Sequence, residues 1–164
     1  DQTNNEHSHY EFETDENNEF KFVAISDTRI GSKQQQLSIL NDIYCKAYEM
    51  GYRNIIHCGN LTEGLFSISD VYADTVFLDG TLRQVDYIIR KYPKIDGMKT
   101  YFITGVKDEK HLKSNKIDIA NAVFDRNPGE LEKISFISSV KWNLLLDSAE
   151  YSLTIINLFF PVLR

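Results

Sequence analysis

Residues Phe20–Gly64, FKFVAISDTRIGSKQQQLSILNDIYCKAYEMGYRNIIHCGNLTEG, decide the fold. Phe20–Ser26 is a short apolar run that breaks into Asp27-Thr28-Arg29-Ile30-Gly31, the pattern of a buried strand running into a loop. Ser32 with Gln35 has the spacing of a capping box. Leu37, Leu40, Tyr44, Ala47 and Tyr48 then recur at helical spacing, and Gly51 is placed to end that helix. Asn54–Cys58 reads as a second buried strand, followed by the loop Gly59-Asn60-Leu61-Thr62-Glu63-Gly64. Strand, helix and strand of this length make a right-handed parallel crossover, which brings both loops to the carboxyl ends of neighbouring strands, where open α/β sheets bind ligands.

The rest of the chain extends that plan. Leu65–Gly80 has no clear period. Thr81 and Gln84 form another capping-box pair, and Leu82, Val85, Ile88, Ile89 and Tyr92 line a helix that Pro93 ends. Lys99–Thr104 reads as a third strand, Gly105–Lys116 as a charged, solvated loop, and Ile117–Phe124 as a short helix closed by Asn127-Pro128-Gly129. The apolar runs Ile134–Ser138, Val140–Leu146 and Leu153–Phe160 read as a meander that begins a second sheet. Tyr44, Tyr48, Tyr52, Tyr87, Tyr92 and Tyr101 are assigned to the core or its edge, and none marks a base-stacking platform.

Three loops carry a family resemblance. Ile25-Ser26-Asp27-Thr28-Arg29-Ile30-Gly31 resembles the first motif of the calcineurin-like metallophosphoesterases, Asp-x-His. Gly59-Asn60-Leu61-Thr62-Glu63-Gly64 resembles the second, Gly-Asp-x-x-(Asp/Glu)-Gly, and Gly105-Val106-Lys107-Asp108 the third, Gly-Asn-His-(Asp/Glu). The resemblance spans Phe20 to Pro161 and implies an α/β fold, a two-sheet sandwich flanked by helices, with the second sheet incomplete. Taken singly, Asp27 and Asn60 also read as ordinary turn residues, and Gly59, Gly64 and Gly105 as turn glycines. Three motifs in register favour the family reading.

In the family, two divalent metals such as manganese, about 3.5–4 Å apart, activate a bridging hydroxide. Mapped onto this chain, Asp27 is retained, but Arg29 stands for the first-motif His and Asn60 for the bridging Asp. Val106 stands for the third-motif Asn and Lys107 for its catalytic His. Leu158-Phe159-Phe160-Pro161 aligns with a family Leu-x-His-Pro, which puts Phe160 at a ligand position, and no Gly-His-x-His follows before Arg164. Arginine does not deprotonate in proteins and cannot ligate. Asn60 lacks the charge that holds two dications together, and Val106 offers no donor. Asp27 against Arg29 and Lys107 leaves the site one positive charge before any metal arrives. The two cations are expected to neutralise Asp27, with Glu63 or Asp108 as further partners.

These readings imply a catalytically inactive metallophosphoesterase-like module with no metal cofactor, working through a protein partner or further domains. Two alternatives stay open: a metal-dependent phosphodiesterase or nuclease with an altered site, and a metal-free phosphate or nucleotide sensor built on Arg29 and Lys107. Composition is that of a globular chain, with 42% hydrophobic and 12% aromatic residues. A net charge of −6 argues against a nucleic-acid surface built on a basic patch. No apolar run reaches transmembrane length and no signal pattern opens the sequence, so a cytoplasmic protein with no membrane partner is expected. Cys45 and Cys58 are expected to be buried free thiols. Residues 1–19, DQTNNEHSHYEFETDENNE, read as a flexible acidic linker or tail, and residues 20–164 as the domain. His7 and His9 in that tail read as solvated rather than metal-binding. A polar start without an initiator Met is expected of a piece of a longer chain.

Overall fold

The computed structural model describes residues 12, 14, 16–17, 19–66, 73–126, 134–136 and 153–157. Strand β1 (Phe22–Ser26) leads through helix α1 (Leu37–Glu49) to β2 (Asn54–His57), then through α2 (Thr81–Lys91) to β3 (Lys99–Phe102). Helices α3 (Glu109–Asn115) and α4 (Ile119–Asp125) lead on to β4 (Ile134–Phe136). Strand β5 (Leu153–Asn157) returns to the far side of β1. The five strands form one parallel sheet in the order β4-β3-β2-β1-β5.

Parallel strands are buried on both faces, which is why β1–β3 read as unbroken apolar runs. On one face Val23, Ile25, Ile55 and Phe102 pack with Leu40, Tyr44 and Ala47 of α1, Val85 and Ile88 of α2, and Ile119 and Val123 of α4. On the other face Phe22, Ala24, Ile56, Tyr101 and Ile103 form a second cluster with Phe20. Phe12, from within the acidic N-terminal segment, packs against that cluster, its ring 4.4 Å from Phe20 and edge-on to Tyr101 at 5.1 Å.

Several sequence readings are corrected. Strands β4 and β5 do not begin a second sheet: β4 pairs parallel with β3 and β5 parallel with β1. The apolar runs are compatible with either arrangement. The helical α3–α4 connection supplies the crossover that a parallel partner for β3 requires. Val140–Leu146, Asn127–Gly129, Leu158–Pro161, His7 and His9 lie outside the described residues. The stretch expected to be a charged loop contains helix α3, which buries His111, leaves Lys113 exposed and lays Lys110 half-buried against Phe66.

Neither capping box caps a helix. Ser32 Oγ does accept from Gln34 N–H, and Gln35 Oε1 from Gly31 N–H, but these bonds close a turn ahead of α1. Thr81 and Gln84 are both buried, and instead Thr81 bonds His111 and Asn115 of α3 while Gln84 Nε2 donates to the carbonyls of Gly64 and Leu78. Asp118, not singled out in the sequence, accepts from Ala120 and Asn121 N–H at the start of α4. Cys45 and Cys58 are free but exposed, because Cys45 lies on the outer face of α1 and Cys58 follows the last residue of β2. Tyr44, Tyr92 and Tyr101 are core residues, whereas Tyr48 is 40% exposed beneath the Arg53 guanidinium.

Phe12→Ala should lower stability by about 1–2 kcal/mol, the loss of a half-buried ring and its edge-on contact. Urea unfolding of the full chain measures it, and no change would show that the residue contributes nothing to the sheet face.

Candidate functional site

All three motif loops leave the sheet at its carboxyl edge. The first two continue the parallel ladder beyond the strands: Asp27 N–H donates to Gly59 O, Arg29 N–H to Asn60 O, Ile30 N–H to Leu61 O, and Glu63 N–H back to Ile30 O. This zipper holds three non-glycine residues in the left-handed region, Asp27 at φ 56°, Arg29 at φ 47° and Asn60 at φ 56°. Asp and Asn enter that region readily, whereas Arg does so at a conformational cost that the ladder must offset.

The third loop is pressed against the second. A Cβ on Gly105 would lie 2.4 Å from the Asn60 nitrogen and 2.5 Å from its Oδ1. Gly105 is therefore required by close approach rather than by a positive φ, the role expected of it as a turn glycine. The gap is closed by Asp108, 2% exposed, whose carboxylate accepts from the N–H groups of Leu61, Thr62 and Gly105 and from the Thr62 hydroxyl. Burial pushes the Asp108 carboxyl up from its ordinary value, opposed by those hydrogen bonds.

Glu63 lies at the centre. It is 1% exposed and receives a two-pronged contact from Arg29, Nε to Oε2 at 2.5 Å and an Nη to Oε1 at 2.7 Å. Lys107 Nζ adds a third bond to Oε1 at 2.7 Å. Burial disfavours the Glu63 carboxylate, but the hydrogen bonds and charges of Arg29 and Lys107 prevail and hold it below the usual range. The Arg29 guanidinium is raised in turn, chiefly by its hydrogen bond to Glu63. Of the expected partners, Asp27 with Glu63 or Asp108 as further ones, the two cations pair with Glu63, and the place given to Asp27 is corrected. Asp27 Oδ1 instead accepts from Asn60 Nδ2 at 2.8 Å, and Asn60 Oδ1 accepts from Lys107 N–H at 3.1 Å. The reason is burial: Glu63 is almost removed from water and draws both cations, whereas Asp27 is only half-buried.

Two buried histidines support the second loop from below. His57 Nδ1 accepts from Gly59 N–H, so Nε2–H donates to Thr28 Oγ1, whose hydroxyl donates to Leu61 O. For His111, the Thr62 hydroxyl is committed to Asp108, so His111 Nε2–H donates to Thr62 and its Nδ1 accepts from Thr81, itself an acceptor for Asn115. Both imidazoles are fully buried and neutral, since burial pushes each down to about 4. Sequence reading missed both histidines. Asp108 it offered as a partner for the cations, whereas the carboxylate accepts from the backbone of Leu61, Thr62 and Gly105 and from the Thr62 hydroxyl.

The residues do not fit a pair of divalent metals. Asn60 turns its amide N–H toward Asp27, Val106 is 74% exposed and carries no donor, and Glu63 and Asp108 are closed by other partners. Two cationic side chains stand where metal charge would have to be tolerated. Among the described residues no three His, Cys, Asp or Glu side chains are grouped to hold a metal ion. Among the same residues no helix is long and apolar enough to cross a membrane. In comparisons with known proteins, no family model and no curated protein matches the chain.

Glu63→Gln should destabilise by about 1–3 kcal/mol, because Arg29 and Lys107 lose a shared buried partner yet still reach water. Asp27→Asn should cost less, and chemical denaturation of the two variants ranks them. Stability should also fall with acid. Unfolded histidine protonates near 6.5 and buried His57 near 4, so the unfolded state binds the extra proton first and native stability is lost between those values. A His57→Gln variant should show a shallower decline in melting temperature over that range.

Proposed function

We propose that this chain is a metallophosphoesterase-like domain whose metal pair has been replaced by side-chain cations, and that it serves as a binding module rather than a hydrolase. The observation that carries the reading is the Arg29–Glu63–Lys107 cluster, which joins the three motif loops through fixed charges. The order of the motif loops at the carboxyl edge of a parallel sheet supports the family assignment. The two-sheet sandwich belongs to this proposal: a second sheet would pack on the face formed by Phe22, Ala24, Ile56, Tyr101 and Ile103. The partner is a protein or further domains of a longer chain. Metal-dependent phosphodiester hydrolysis is disfavoured by donors that point at cations instead of at a shared metal position.

Manganese titrated calorimetrically into the chain should show no stoichiometric binding, and bis(p-nitrophenyl) phosphate should not be turned over with manganese, nickel or magnesium. Arg29→His, Asn60→Asp, Val106→Asn and Lys107→His combined should gain manganese affinity. Wild-type hydrolysis that Asp27→Ala abolishes would overturn the proposal.

A further inference from the structure

Glu63 is nearly sealed, but the cations it holds are not. The Arg29 side chain is 23% exposed and that of Lys107 26%, against 2% for Glu63, so the carboxylate sits behind and the cations stand between it and solvent. Of the five N–H donors of a guanidinium, Arg29 spends two on Glu63, leaving three, and Lys107 spends one of its three, leaving two. Among the described residues these remaining donors have no hydrogen-bond acceptor. Asp27 is half-buried beside them, close enough to raise the Arg29 guanidinium electrostatically. One of its oxygens is bonded to Asn60, and the other has no partner among the described residues. Lys110 adds a third cation nearby, its Nζ 3.9 Å from the Phe66 ring centroid, with Lys107 Nζ 5.9 Å from the same ring.

We infer that Asp27, Arg29 and Lys107 form a metal-free receptor for hydrogen phosphate, with Glu63 holding the two cations in place from behind. The ligand class follows from the inventory of free groups. Five unspent donors on two partly exposed cations call for an anion with several acceptor oxygens, and three unprotonated oxygens on one tetrahedral centre offer six lone pairs for them. A free carboxylate oxygen at the same place repels a fully ionised anion but accepts a hydrogen bond from one that retains a proton. Sulfate has no such proton at neutral pH, and a phosphate monoester has largely lost its own. Bicarbonate keeps a proton but has only two acceptor oxygens. Inorganic phosphate meets both conditions. Its binding would leave the Glu63 pairing intact, because it uses the outer donors and not those turned inward.

This inference rests on the reading of the site as metal-free, and the two are separable by experiment. Isothermal titration of the full chain with inorganic phosphate at pH 7, constant ionic strength and excess EDTA should show binding. Sulfate, methyl phosphate and bicarbonate should bind at least tenfold more weakly. Lys107→Met should weaken phosphate at least tenfold. Asp27→Asn, nearly isosteric, should narrow the preference for phosphate over sulfate about tenfold, a change that general destabilisation would not produce. Equal responses to phosphate and sulfate in the wild type, or an unchanged preference in Asp27→Asn, would overturn the receptor. Absence of phosphate binding, with manganese also unbound, would overturn this inference alone. Phosphate binding that appears only with manganese and vanishes in EDTA would overturn both it and the metal-free reading.

Discussion

A carboxylate at the carboxyl edge of a parallel sheet, almost removed from water, constrains everything around it. Glu63 cannot stay ionised at 1% exposure without cations in contact, since the desolvation of a lone buried charge outweighs what one domain gains by folding. Its two cations come from different segments, Arg29 from the loop after β1 and Lys107 from the loop after β3. Three loops are thereby tied at one point. The tie also accounts for the Arg29 backbone: φ 47° is unusual for that residue, and it is held there by the ladder to Asn60 O while the guanidinium grips Glu63.

Beneath the charged cluster lies a neutral one. The chain through His57 and Thr28 ends on the Leu61 carbonyl, and the chain through His111 and Thr62 ends on Asp108, which returns bonds to the Leu61 and Thr62 amides. Two adjacent residues of the second loop are therefore fixed from two directions. A buried polar network of this kind is useful only when nearly every group is satisfied. Among the described residues the exception is Gln84 Oε1, whose amide N–H groups bond Gly64 O and Leu78 O while its oxygen has no partner. The charged layer above needs a rigid base, because a two-pronged arginine contact tolerates little displacement of its carboxylate.

The central β1–α1–β2–α2–β3 core was legible because strands buried on both faces give continuous apolar runs, and α1 and α2 carry clean 3.6-residue periodicity ended by Gly51 and Pro93. What failed was sequence that has the same local appearance in two settings. Ser32-x-x-Gln35 has the spacing of a helix cap and closes a turn. The charged residues of α3 resemble a solvated loop, because nothing in their alternation marks His111 as the one that goes inward. The edge strands could not be placed, since an apolar run does not say which strand it will pair with. At the site, residue types were readable and partnerships were not. Asp27, Arg29, Asn60 and Lys107 do converge, but the buried Glu63 outcompetes Asp27 for both cations, a result set by burial rather than by spacing.

The nature of the tie matters for how such a domain behaves. A metal pair joins loops only while ions are supplied and ligands are deprotonated, so its contribution varies with metal availability and pH. Arg29 and Lys107 are part of the chain, so their hold on Glu63 forms with the fold itself. Exposed ion pairs weaken in salt, but the carboxylate here is shielded from counter-ions by its burial, and screening acts mainly on the outer faces of the two cations. The same arrangement therefore gives the loops an anchor made of the chain itself on its inner side and leaves salt-sensitive, solvent-accessible charge on its outer side.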